Sequence, residues 1–158
     1  FPRSYSSLPP SHSRSTTGLA SRFAEMPRLS AYAVRAALIH LVLGFAAGAL
    51  LLSNKGIVIH PALWALLPAH IDLLLFGWTA QLAMGVAYWI LPRFRKTPRR
   101  GSPKLASSSF IALNLGVVIV AISPWLPFSG SVQLAGRFSE LLAVVLFAYS
   151  ALRRIAVA

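Results

Sequence analysis

Cysteine is absent from the 158 residues, acidic side chains number three, and charged residues of either sign make up 11%. The first absence removes disulfides, thiolate metal sites and cysteine nucleophiles. The scarcity of charge excludes a water-soluble globule, in which about a quarter of the residues are charged. The chain also lacks a Ser/His/Asp set, an HExxH helix, a phosphate-binding glycine loop and a carboxylate pair held together. No enzymatic activity is therefore expected of this chain alone.

What is present is apolar. Hydrophobic residues make up 56% and mean hydropathy is +0.68. Four continuous runs, near Tyr32–Ser53, Pro68–Leu91, Ser108–Trp125 and Val132–Leu152, are each able to cross a hydrocarbon core of about 30 Å at about 1.5 Å per residue. Strands are disfavoured, because the runs do not alternate and an open sheet would leave unpaired edges in lipid. The fold class expected is all-α, an integral membrane protein with four transmembrane helices. Pro68 suits a first turn, where its missing N–H costs nothing, with His60–Leu67 before it as an interfacial segment anchored by Trp64. Pro92 is expected to close the second span, and Pro124 with Pro127 the third.

Two units follow: an extended arm over 1–27 and a four-helix domain over 28–158. The arm is rich in Ser, Pro and Arg and has no helical or strand period, so it is expected to be disordered alone and to lie along a partner. It lacks the apolar core of a secretory signal and resembles a transit peptide only in composition. Met26-Pro27-Arg28 would make a natural start, which leaves residues 1–25 as an extension or a processed remnant.

Fifteen basic residues against three acidic ones give a net charge of +12. No base-reading module accompanies that charge, so nucleic acid is not an expected partner; the charge reads as topology. With both termini cytoplasmic, thirteen basic residues lie inside: Arg3, Arg14, Arg22, Arg28 and Arg35, then Arg93, Arg95, Lys96, Arg99, Arg100 and Lys104, then Arg153 and Arg154. Only Lys55 and Arg137 lie outside, a strong positive-inside bias. The 93–104 cluster is explained by attraction to anionic headgroups. The membrane expected is a bacterial cytoplasmic (inner) membrane.

Polar groups inside a bilayer are costly and are candidates for function. On the second span His70, Gly77, Gln81, Gly85 and Tyr88 recur at helical spacing, a face suited to a close helix contact or a flat cofactor. Gly44 and Gly48 form a GxxxG on the first span, so Gly44, Gly48, Gly77 and Gly85 are the expected packing glycines. Asp72, two positions from His70, points elsewhere. Arg137 and Glu140, three apart, form either an ordinary surface pair or a small network with Asp72 and His70. Asn114 is expected to bond to a neighbouring helix. His40 and His70 differ by about 19 Å in depth, so one iron cannot join them, while His60 falls in a loop and His12 in the arm.

The stretch His70-Ile71-Asp72-Leu73-Leu74-Leu75-Phe76-Gly77-Trp78, continuing through Met84-Gly85-Val86-Ala87-Tyr88-Trp89-Ile90-Leu91-Pro92-Arg93, resembles the second transmembrane helix of the catalytic subunit of haem-copper oxidases and nitric-oxide reductases. The first span, with Arg35 and His40, is compatible with that family's first helix. The resemblance covers about 60 residues and implies an axial haem b ligand at His70, with the family's remaining ligand-bearing helices absent. The chain thus looks like a truncated relative that keeps the first helical hairpin. Two functions follow as expectations. One is an accessory subunit packed against other transmembrane subunits and lipid in an electron-transfer complex, such as alternative complex III or a terminal oxidase, with no cofactor of its own. The other is a haem b or quinone subunit in which His70, Gln81 and Tyr88 line the cofactor and His70 ligates iron. A stand-alone transporter or sensor is disfavoured by the lack of central charges and of an inverted repeat.

The charge asymmetry makes orientation directly testable, and the cysteine-free background is ready for labelling. Ser129→Cys should react with an impermeant maleimide on intact cells, and Ser102→Cys only after the membrane is opened. Labelling of Ser102→Cys from outside would contradict the orientation.

Overall fold

The computed structural model describes residues 27–91 and 103–156. The expected arm up to residue 26 and most of the basic linker, residues 92–102, lie outside the described residues. Four helices are long and apolar enough to cross a membrane: α1 (Arg28–Gly56), α2 (Pro61–Ile90), α3 (Pro103–Ile122) and α4 (Ser129–Ala156). No strand occurs among the described residues.

The helices outrun the expected spans because the backbone keeps its hydrogen bonds past the apolar stretch. The second departs most from expectation. Asn54 Oδ1 accepts the N–H groups of Ile59 and His60, both at 2.9 Å, and closes the α1–α2 loop. His60 then caps the next helix by accepting the Ala62 N–H, and Pro61 takes the first-turn position expected for Pro68. The segment Pro61–Ala65 is a 3₁₀ turn that runs directly into helix at Leu66. Pro68 lies just beyond that seam, where a change of hydrogen-bond period tolerates its missing donor. Further along, Leu73–Ala80 widens into a π-helix, with the Gln81 N–H reaching the Phe76 carbonyl five residues back. The Thr79 hydroxyl donates to the Leu74 carbonyl in the same turn. Ser123–Trp125 ends α3 in a 3₁₀ turn that includes Pro124, and Phe128, at φ 58°, reverses the chain into α4.

Each hairpin closes over glycine. In α3–α4, Gly116 and Gly136 face one another: a Cβ on Gly116 would stand 2.9 Å from the Gly136 carbonyl oxygen and 2.7 Å from Glu140 Cγ. The Ser139 hydroxyl donates across to the Ala112 carbonyl at 2.7 Å. Neither lipid nor a neighbouring helix supplies a hydrophobic difference in a membrane, so contact distance and hydrogen bonds decide which helices associate. The core gathers Ala33, Met84, Phe110, Leu113 and Ala143, with Phe147 tilted against Phe110 at 6.1 Å between ring centroids. α3 is central and α4 peripheral, with 39% and 17% of their most apolar windows buried.

Gly116→Ala should lower the stability of the detergent-solubilised protein by about 1–3 kcal/mol, because backbone cannot yield as a side chain can. Gly56→Ala, with open space around it, should be near neutral. Equal unfolding midpoints for the two variants would refute the close crossing.

Candidate functional site

The α1–α2 hairpin is joined by two histidines in antiparallel exchange. His40 Nδ1 on α1 donates to the Gly77 carbonyl on α2 at 3.0 Å, and His70 Nδ1 on α2 donates to the Gly44 carbonyl on α1 at 2.8 Å. The acceptor in each case is a carbonyl, which requires the proton on Nδ1. Glycine opens the space for both rings. A Cβ on Gly77 would meet His40 Cγ at 2.8 Å, and one on Gly48 would meet His70 Cε1 at 2.6 Å. Gly44 lies under Leu74, and Gly85 packs on Ala33. The four glycines expected to serve packing are thus all occupied within this hairpin, and those of the GxxxG receive side chains from α2.

Gln81 and Tyr88 extend the same interior without joining His70. The Gln81 amide donates to the Ala33 carbonyl at 3.3 Å, and its Oε1 is buried without a partner. Gln81 also lines a cleft of about 520 Å³ beside Tyr32, Phe110 and Asn114. Tyr88 carries the Arg154 guanidinium at 5.3 Å from its ring centroid. Eleven residues separate His70 from Gln81 and seven separate Gln81 from Tyr88, about 15 Å and 10 Å along the helix. One haem or quinone ring cannot rest on all three, so the expected shared cofactor pocket is corrected to three separate contacts. The His70 ring is held between α1 and α2, with Nδ1 bonded to the Gly44 carbonyl and Cε1 against Gly48. Among the described residues, no group of three or more His, Asp or Glu side chains could hold a metal ion.

The charged groups do converge. Asp72, fully buried on α2, pairs with Arg137 on α4, whose Nη1 also donates to Glu140 Oε2 at 3.0 Å. Arg137 lies over the Phe76 ring, 5.7 Å from its centroid. Of the two alternatives for Arg137 and Glu140, the network is what forms: Asp72 belongs to it and His70, turned to α1, does not. Asp72 is fully buried where its helix packs against its neighbours, something its own helix could not indicate. Asn114 departs from expectation as well. Its amide bonds the Phe110 carbonyl one turn back on its own helix, at 2.7 Å, the usual local alternative for such a side chain.

Arg154 plays a part that the sequence did not indicate. The sequence pairs it with Arg153 as topogenic charge, yet only 1% of it is exposed. Its guanidinium donates to the carbonyls of Tyr88 at 3.2 Å and Leu91 at 2.7 Å, where α2 ends. A cation there satisfies carbonyls that have no helical partner and complements the helix dipole. Its spacing of 17 residues from Arg137, about 25 Å along α4, matches the separation on α2 between Asp72 and the helix end at Leu91.

No family model matches the chain, and neither the curated proteins nor the solved structures yield a match.

The histidine seat gives a coupled prediction. Gly77→Ala should destabilise the protein, and the same change in a His40→Ala background should cost less by about 1 kcal/mol or more. Additive losses in denaturant titration would show that the ring and the glycine do not meet.

Proposed function

We propose that the chain is a small accessory subunit that packs against and stabilises an electron-transfer complex in a bacterial cytoplasmic membrane, of the kind represented by alternative complex III or a terminal oxidase. The observation that carries this reading is the division of labour across the bundle. The histidines, glycines and Tyr88 of the oxidase-like hairpin are spent on contacts inside the chain. Bulky apolar side chains, among them Phe45 on α1 and Phe138 and Tyr149 on α4, project outward at 54–63% exposure. Such faces suit lipid and neighbouring transmembrane helices alike, and aromatic anchors of this kind recur where protein surfaces meet. Both termini on the cytoplasmic side, from the charge asymmetry, belong to the same reading.

A tagged chain purified from its native membranes in mild detergent should migrate on a native gel with a larger haem-bearing assembly. Its own reduced-minus-oxidised visible spectrum, after separation, should be featureless. Migration alone under every mild detergent, or a haem b band in the separated chain that disappears in His70→Ala, would overturn the proposal.

A further inference from the structure

Asp72, Glu140 and Arg137 place two carboxyls around one guanidinium. Both carboxyl residues are buried, at 0% and 1% exposure, whereas the Arg137 side chain is 36% exposed. Arg137 Nη1 serves one oxygen of each carboxyl, and the other two oxygens, Asp72 Oδ2 and Glu140 Oε1, are sealed from solvent and have no hydrogen-bond partner. With both acids ionised, the cluster would hold one uncompensated negative charge and two unserved acceptors inside a helical bundle long enough to span lipid. Burying such a charge is far more costly than burying a neutral hydrogen-bonded acid.

Among the described residues, no other charge packed against the cluster supplies the balance. α3 presents Gly116 to Glu140, and its one titratable side chain, Lys104, is exposed at the first turn of that helix, far along it from Gly116. On α1, His40 is engaged with Gly77 and Lys55 is exposed at the helix end. His70, on the same helix as Asp72, is engaged with Gly44.

We propose that this cluster is an intramembrane proton-binding site: Glu140 and Asp72 together hold one proton, which makes the triad electrically neutral and supplies the donor their vacant oxygens lack. Arg137 compensates the remaining carboxylate. The ligand is the proton itself, and the site stands independently of the accessory-subunit reading.

Infrared spectroscopy tests this cleanly, because the chain has only three acidic side chains and Glu25→Gln removes the third. In dodecyl maltoside, which contributes no carbonyl, the Glu25→Gln protein at neutral pH should show one carboxylic-acid C=O band that shifts in D₂O and is lost in strongly alkaline buffer. Glu140→Gln and Asp72→Asn should each abolish the band, since the carboxyl left behind then has Arg137 to itself. Absence of the band at neutral pH in the otherwise unaltered chain overturns the site without reference to any cluster variant. Persistence of the band in either single variant, or its loss on adding sodium at constant pH, would also overturn it.

Discussion

A bilayer offers apolar helices no hydrophobic reason to prefer one another over lipid, so backbone approach and polar contacts must select the packing. Nearly every contact that orders this bundle is of those two kinds. Within α1–α2, glycine removes the Cβ atoms that would keep the helices apart, and imidazole donors then reach carbonyls on the opposite helix. Within α3–α4, Gly116 and Gly136 bring the backbones together and Ser139 bonds across the seam. The two hairpins are joined by a third device. α4 reaches α2 through Arg137 at Asp72, partway along the helix, and through Arg154 at its end, while α3 lies between them and fills the core.

This arrangement explains why α2 is irregular where it is. The π turn over Leu73–Ala80 contains Gly77, whose carbonyl accepts from His40, and Phe76, which lies beneath Arg137. A widened turn is intrinsically poorer than α-helix and persists where other contacts hold it. Here α1 and α4 grip adjacent residues of that turn.

Helix number and the packing role of four glycines were legible in the sequence, because apolar length and glycine spacing are properties of one segment at a time. The partners of those glycines were not. The GxxxG of α1 has no feature that distinguishes an approaching backbone from an approaching imidazole, and the answer depends on His70 in a different helix. Asp72 illustrates the same limit: the sequence turns it away from His70, and its full burial depends on helices distant in the chain. Arg153 and Arg154 are adjacent and chemically identical, yet one is exposed and one is enclosed by the end of α2. A 100° step around a helix separates them, and its consequence is set by what the helix packs against.

The residues that carry the oxidase-like resemblance acquire a different meaning in this setting. His70 rests on Gly44 and Gly48, Phe76 under Arg137, Gly77 beneath His40 and Tyr88 against Arg154. Each is turned to a neighbour within the chain. A segment suited to binding a flat ring between helices requires small residues and a well-oriented histidine; a segment suited to close helix packing requires the same features. The two demands diverge only in what occupies the space the glycines leave. In α1–α2 that space is filled from both sides by the histidines themselves, His40 against Gly77 and His70 against Gly48.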